Sequence, residues 1–146
     1  MAKMKRKYNK GSVKRLKNKL LEAGQARPMN RTNKEMSSLE IIVFNILTEL
    51  EITFEREKPL KYKLGYRYFD FYLPDQKILI EVDSDYYHGE RNKPDYTAMM
   101  AKKNDMAKNW VAKKEGLTLI RIKEKQLKES KEIIKNDIAK LIKENS

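Results

Sequence analysis

The stretch YRYFDFYLPDQKILIEVD, residues 66–83, decides the fold of this chain. Tyr66–Leu73 alternates in polarity and is rich in aromatic residues, which predicts a β-strand. Lys77–Asp83 contains a continuous apolar run, which is typical of a buried central strand. The residues between them, Pro74–Gln76, favour a turn. We therefore expect two consecutive strands that pair in antiparallel orientation.

Outward from this stretch, helical and extended patterns alternate. Their order predicts a small α/β domain, an α+β mixed sheet with helices packed against it. The strand–helix–strand unit near the end implies a crossover and a parallel pair. The other predicted elements are a helix over Ser37–Leu50, a strand over Ile52–Arg56 that Lys61–Leu64 extends or turns into a hairpin at Gly65, a helix over Tyr96–Glu115, a strand over Leu117–Ile122 and a helix over Ser130–Glu144.

The predicted helix over Tyr96–Glu115 carries apolar side chains at helical spacing. We expect them to form one buried stripe, since an amphipathic helix turns its apolar face to the core. Gly116 then suits the position just after the helix. The expected stripe consists of Met99, Met100, Met106, Ala107, Trp110 and Val111.

The positive charge of the chain is concentrated near its start. The 146 residues have a formal net charge of +12, and residues 1–34 hold 12 of the 33 Lys and Arg but only one of the 21 Asp and Glu. Such density favours a nucleic-acid backbone, which releases counterions on binding; a solubilising tail and a membrane surface are the alternatives. We expect residues 1–35 to be a basic arm and 36–146 the folded domain. The proposed DNA contacts in the arm are Lys5, Arg6, Lys7, Lys10, Lys14, Arg15, Lys17, Lys19, Arg27 and Arg31.

Composition excludes several classes of protein. There is no cysteine and only one histidine, so disulfides, cysteine nucleophiles and zinc sites built from Cys or several His are excluded. No apolar run approaches the roughly 18 residues of a membrane span, and no signal-peptide pattern opens the chain. These features predict a cytoplasmic protein without membrane contact.

Three acids are predicted to gather on the two central strands. The short turn at Pro74–Gln76 can place Asp70 beside Glu81, and Asp83 shares a strand face with Glu81 because side chains alternate. Carboxylates that lie close together are costly unless they bind a cation, and oxygen ligands suit Mg²⁺. The alternative is that these acids are exposed positions of half-buried strands.

Other polar and aromatic residues have plainer alternatives. His88 follows the acids, although a lone histidine is more often structural than catalytic. Asp105 and Lys108 fall on one helix face, for which a solvated surface is the simpler interpretation. Tyr86 and Tyr87 suit either a core or a turn, or else stacking on bases.

Five runs of sequence together resemble a nuclease family. Over residues 36–130 the chain resembles the very-short-patch-repair-like branch of the PD-(D/E)xK nucleases, which includes the EDxHD homing endonucleases of phages and introns. The resemblance implies a restriction-endonuclease-like core, a helix followed by a mixed sheet with a crossover. The runs that carry it are Tyr68–Pro74, Leu79–Asp83, Tyr87–Gly89, Lys103–Asp105 and Gly116 with Leu119–Ile122.

The resemblance also implies the roles of individual residues. Asp70 would bind the catalytic Mg²⁺, with Mn²⁺ as a substitute, and Glu81 would help to bind metal or water. The carbonyl of Val82 is a further implied ligand. Glu40 matches the leading Glu of the EDxHD pattern and Asp105 its closing Asp.

Two departures from the family matter. Asp83 stands where many relatives have a lysine, and His88 matches the histidine that serves in its place in the EDxHD branch, with Lys108 as further support. A chain without cysteine cannot build the zinc site of the very-short-patch repair enzyme, which favours the homing branch. Glu40 also has a structural alternative, because Ser37 and Glu40 have the form of a capping box.

The expected activity is hydrolysis of phosphodiester bonds in double-stranded DNA, in a bacterial or phage-infected cell. A long recognition site would need a homodimer, loop contacts or host context. Three alternatives stay open. They are a mismatch or repair nicking enzyme, a non-catalytic DNA-binding module with a nuclease-like fold, and a basic RNA- or ribosome-associated protein, which leaves the acids unexplained.

Overall fold

The computed structural model describes residues 28–85 and 95–146, with the side chains of 28–85 and 98–146. Within these ranges the elements follow the predicted order, and one 3₁₀ helix comes in addition. The elements are α1 (Ser38–Glu49), β1 (Glu55–Tyr62), β2 (Gly65–Leu73), β3 (Ile78–Asp83), α2 (Asp95–Lys114), β4 (Thr118–Lys123), the 3₁₀ helix (Glu124–Lys128) and α3 (Lys131–Asn145).

The four strands form one mixed sheet in the order β1-β2-β3-β4. The first three strands are antiparallel neighbours, and the predicted antiparallel pairing of β2 and β3 is confirmed. Strands β3 and β4 run parallel, with Ile80 opposite Ile120, and α2 connects them. The described part of the chain is therefore a mixed α/β domain of the expected kind.

The sheet is covered on both sides by helices of different character. Helices α1 and α3 contribute to the larger core, in which Phe71 and Ile80 of the sheet are fully buried. Helix α2 contributes Val111 and Ala112 to a smaller core around Phe69 and Leu79. A fully buried side chain of this size contributes about 1.5–3 kcal/mol. Because the larger core contains more buried side chains than the smaller one, most of the stabilisation comes from the side of α1 and α3.

The first strand differs from its prediction. Strand β1 begins at Glu55 rather than at Ile52, and it continues through Pro59 to Tyr62. Proline is tolerated there because β1 is an edge strand, where one row of N–H groups needs no partner in the sheet. Ile52 still packs against the larger core, but from irregular backbone.

The predicted buried stripe of α2 is largely wrong. Ala107 and Val111 are buried, but the longer apolar side chains are about half exposed. The small core beneath α2 accepts only a narrow strip of short side chains, so the larger ones lie at its margins. The exposed fractions are 48% for Met99, 47% for Met100, 62% for Met106 and 53% for Trp110.

Among the described residues, no helix combines the length and the hydropathy that a membrane crossing requires.

Candidate functional site

Asp70 and Glu81 lie side by side on neighbouring strands, as the short turn predicts. The paired part of β2 and β3 ends with Phe71 opposite Ile80. Just beyond it, the Asp70 N–H donates to Glu81 Oε1 at 3.1 Å, and the Val82 N–H donates to Asp70 Oδ2 at 2.8 Å. The two carboxylates thus accept the backbone hydrogen bonds where the regular ladder stops, which fixes their positions.

The backbone around Asp70 is irregular on both strands. Phe69 and Phe71 would share a face in a regular strand, yet they belong to different cores. Glu57 lies opposite Asp70 in the register of β1 and β2, and its φ of 50° is in the left-handed region. Few residues other than glycine adopt this conformation. The irregular pairing therefore coincides with a pair of acids.

Three carboxylates converge at this point: Glu40, Glu57 and Asp70. One oxygen from each lies within 4.8 Å of the others. Glu57 is only 4% exposed; its Oε1 makes no hydrogen bond, and the Nζ of Lys34 lies 3.4 Å away. Like charges this close repel strongly in a buried setting. Lys34 offsets part of this repulsion, and protons or a further cation would offset the rest.

The start of helix α1 holds Glu40 in this group. The Glu40 N–H donates to Ser37 Oγ at 3.2 Å, and the Ser37 hydroxyl donates to Glu40 Oε1 at 3.2 Å. Ser37 is the N-cap, as the capping-box pattern predicts. The Glu40 carboxylate accepts from the hydroxyl of Ser37 rather than from its backbone N–H. Glu40 can therefore take part in the cap of α1 and in the group of acids at the same time.

Glu81 is held by a lysine from the opposite element. Lys108 Nζ of α2 lies 2.9 Å from Glu81 Oε2, and both side chains are almost buried. The same ammonium is 5.4 Å from the ring centroid of Phe69. Both oxygens of Glu81 are therefore engaged, one by the Asp70 N–H and one by Lys108. The solvated-surface interpretation of Lys108 is wrong, because this side chain is only 12% exposed.

The carboxyl groups of the central pair have perturbed acidity. Burial raises the pKa of Asp70 to about 8; the charges of Glu81 and Glu40 act in the same direction, and the Val82 N–H and Lys108 oppose it. Burial also raises the pKa of Glu81, although Lys108 lowers it. Near neutral pH the pair thus tends to retain a proton, which a bound cation would displace.

A cleft of about 270 Å³ is lined by both acidic and cationic side chains. Glu57 and Asp70 line it, and so do four cationic side chains. Such a cleft offers carboxylate oxygens to a metal ion and positive charge to a phosphate. The cationic side chains are Arg31, Lys34, Arg67 and Lys108.

The end of the predicted basic arm is attached beside this cleft. The guanidinium of Arg31 lies 4.3 Å from the ring centroid of Tyr68, whose hydroxyl donates to the Met29 carbonyl at 2.8 Å. Arg56 donates to the carbonyls of Thr32 and Lys34 at 2.7 and 2.8 Å. These contacts hold residues 29–34 against β1 and β2.

Asp105 and Asp83 meet a shared arginine. Arg121 Nη1 lies 3.6 Å from Asp83 Oδ1 and 3.3 Å from Asp105 Oδ1. Its Nη2 donates to the Asp105 carbonyl and to Asn109 Oδ1. Asp105 therefore links α2 to β4, and it is not a member of the group formed by Glu40, Glu57 and Asp70.

Several predicted site residues lie outside the described ranges. They include His88, for which the catalytic role stays a prediction, and the two tyrosines beside it. The role of the Val82 carbonyl also stays a prediction, although the Val82 N–H binds Asp70. The predicted residues outside the described ranges are Lys5, Arg6, Lys7, Lys10, Lys14, Arg15, Lys17, Lys19, Arg27, Tyr86, Tyr87 and His88.

Glu57 is the site residue that sequence reasoning missed. It belongs to the run Glu55–Lys58, whose alternating charges are typical of a solvated edge strand. Nothing in that pattern signals the left-handed backbone that accompanies its buried position. The only sequence signal for Glu57 was a run of charged residues in a strand next to the strand that contains Asp70.

The chain matches no protein-family model. A search of curated proteins also finds no match. Its function must therefore be inferred from its own residues and their geometry.

Proposed function

We propose that this protein is a Mg²⁺-dependent endonuclease of the EDxHD homing type, with a restriction-endonuclease-like core and double-stranded DNA as its substrate. The observation that carries the proposal is the convergence of Glu40, Glu57 and Asp70 beside a cleft with four cations. The helix and the mixed sheet with a crossover agree with such a core. Hydrolysis of a phosphodiester needs carboxylates that hold a metal ion and cations that bind the phosphate, and the cleft offers both.

The donor set suits a hard divalent cation. The three acids offer only oxygen, which Mg²⁺ and Mn²⁺ prefer, and Glu57 Oε1 is a buried oxygen without a hydrogen bond. Asp70, Glu40 and Glu57 would hold the ion, with Glu81 and the Val82 carbonyl adjacent. When bound, the ion supplies polarisation of the phosphate and a lower pKa for bound water.

The cations of the cleft bind and orient the scissile phosphate. Arg67 and Lys108 line the cleft together with Asp70, and Arg31 approaches from the attached segment. Lys108 also supplies a positive charge beside Glu81, at a site where the expected strand lysine is replaced by Asp83. A cation in place before the reaction stabilises charge that develops on the phosphate.

Proton transfer is assigned to His88. It follows Asp83, the end of β3, by five residues along the chain. Its imidazole takes a proton from the attacking water or donates one to the leaving oxygen, since histidine titrates near neutral pH. Glu40 assists it from the group of acids, whereas Asp105 acts by holding α2 against β4 through Arg121.

The decisive test uses supercoiled plasmid at modest salt, with Mg²⁺ or with EDTA. Wild-type protein is expected to relax or linearise the plasmid only with Mg²⁺. Asp70→Asn removes one carboxylate but keeps an oxygen for the Val82 N–H, and it is expected to abolish cutting. Asp137→Asn, an exposed acid of α3, is the matched control. A folded Asp70→Asn protein that cuts as fast as wild type would falsify the assignment.

The products on the same gel distinguish a homing endonuclease from a mismatch or repair nicking enzyme. A mismatch nicking enzyme leaves open circles and requires a mispaired substrate, whereas a homing enzyme cuts both strands at a long site. Long-site cutting also calls for a homodimer, which sedimentation in the presence of DNA would detect. We place this activity in the cytoplasm of a bacterial or phage-infected cell, where its DNA substrate lies.

The second candidate is a non-catalytic DNA-binding module. It is favoured by two lysines that already neutralise acids of the site, Lys108 at Glu81 and Lys34 at Glu57. Binding of DNA that is equally tight with EDTA and with Mg²⁺, without any strand breaks, would support this candidate. Preference for structured RNA over duplex DNA would instead support an RNA-associated role.

A further inference from the structure

An exposed tryptophan of α2 and a partly buried tyrosine of β1 form an aromatic pair beside the cleft. Trp110 is 53% exposed and Met106 is 62% exposed. The rings of Trp110 and Tyr62 meet edge to face, with centroids 5.8 Å apart. They border an open groove of about 510 Å³, named here the aromatic groove. It is lined by Tyr62, Lys63, Lys103, Met106, Ala107 and Trp110.

Cations surround both rings of the aromatic groove. Lys63 and Arg67 lie 5.3 and 4.7 Å from the ring centroid of Tyr62. Lys114 lies 5.2 Å from that of Trp110. The lining includes two lysines and no acid. An anionic occupant is therefore favoured, and a second copy of this chain is disfavoured because it would bring the same positive charges together.

The aromatic groove adjoins the cleft that contains Asp70. Arg67 lines that cleft and also covers Tyr62. Helix α2 directs Asn104 and Lys108 into the cleft, while Trp110 of the same helix borders the groove. A polyanion that lies in the cleft can thus extend over α2 without leaving positive charge.

We infer that Trp110, supported edge to face by Tyr62, forms a stacking site for an unpaired base of the nucleic acid that occupies the cleft. Single-stranded nucleic acids bind where aromatic faces accept bases and flanking cations follow the phosphates. The presence of a nucleic acid in the cleft rests on the proposed function, but stacking on Trp110 does not require that the protein cuts the DNA. The site gives the protein a preference for DNA with frayed, flipped or single-stranded nucleotides.

The test uses the intrinsic fluorescence of the protein, because Trp110 is the only tryptophan of the chain. Full-length protein in EDTA, which prevents metal-dependent cutting, is titrated with single-stranded DNA of about 12 nucleotides and with blunt duplex of the same length. We expect the single strand to quench the emission of Trp110, with a midpoint that matches the anisotropy of labelled DNA. Binding by anisotropy without any change in emission would overturn the inference.

A variant gives a second readout. Trp110→Ala is expected to weaken single-strand binding on the order of tenfold and to change blunt-duplex binding much less. Ile133→Ala is the matched control, because Ile133 is a similarly exposed apolar residue of α3, 46% exposed. An equal loss for both DNA forms, or no loss, contradicts the inference.

Three further outcomes would overturn the inference, and a fourth would contradict the proposed function instead. Quenching by vesicles of anionic lipid but not by DNA would assign the groove to a membrane surface. Emission that changes with protein concentration alone would assign it to self-association. A protein that cuts plasmid although Trp110 never responds would contradict this inference alone, whereas one that responds but never cuts would contradict only the endonuclease proposal.

Discussion

Two groups of acids lie near strand β3, and their charges are balanced in different ways. At Arg121, the carboxylates of Asp83 and Asp105 share one guanidinium, at 3.6 and 3.3 Å. At the other group, Glu40 and Asp70 form no ion pair among the described residues, and Glu57 has only the half-exposed Lys34. The first arrangement is that of a structural ion pair; the second lacks a matching set of cations and tends to hold a proton near neutral pH, which a metal ion could displace.

The comparison explains why the two groups should respond oppositely to mutation. Removal of the cation at Arg121 takes a positive charge away from Asp83, which is buried, and from Asp105, which is partly exposed, and this destabilises the fold. Removal of an acid from the group around Asp70 relieves repulsion, which stabilises the fold without metal but lowers its affinity for metal. Opposite signs of the two effects would distinguish structure from function.

The largest expected effect concerns Glu57. Glu57→Gln is expected to lower Mg²⁺-dependent cutting on the order of a hundredfold and to weaken Mn²⁺ binding in parallel, because one oxygen donor loses its charge. Electron paramagnetic resonance of free Mn²⁺ measures the binding. Glu55→Gln, an exposed acid of the same strand, is the control and should leave both unchanged. Normal Mn²⁺ affinity in Glu57→Gln would exclude this residue from the metal site.

The next effect concerns the group around Arg121. Arg121→Met is expected to lower the free energy of unfolding by about 2 kcal/mol, less than for a fully buried pair because Asp105 is partly exposed. Urea denaturation measures it, with the exposed Lys125→Met as the control. Mn²⁺ affinity should change little. A large loss of Mn²⁺ affinity would instead join Asp83 and Asp105 to the metal site.

The last effect is a pH dependence without metal. Because the pKa of Asp70 is raised to about 8 in the fold, from an ordinary 3.8, the folded state retains a proton that the unfolded chain releases. This stabilisation is complete below about pH 4 and is lost as pH rises towards 8. The free energy of unfolding in EDTA should therefore decline over this range.

Asp70→Asn removes this contribution to the pH dependence. The variant is expected to show a flatter profile and to gain stability relative to wild type as pH rises from about 4 to 8, because its side chain releases no proton on unfolding. Urea denaturation at several pH values in EDTA measures the profile, with Asp137→Asn as the control. Profiles that stay parallel for wild type and Asp70→Asn would show that Asp70 ionises normally.

Sequence patterns predicted the central part of the fold and, together with the family resemblance, named two of the three acids of the group, Asp70 and Glu40. The alternation of β2, the turn and the apolar run of β3 place Asp70 beside Glu81, since local geometry determines that contact. Glu57 depends on a left-handed residue inside a strand, for which no local pattern exists. Trp110 was expected in the core because periodicity indicates an apolar face but not how wide a strip the sheet accepts.

Arg56 fixes the place where the basic segment joins the folded domain. Its two hydrogen bonds to the carbonyls of Thr32 and Lys34 hold that junction at the rim of the cleft. A nucleic acid bound by the preceding basic residues would then be tethered to the cleft, and its effective concentration there would be high. Such a tether lets the cleft release one phosphate and sample the next without losing the strand.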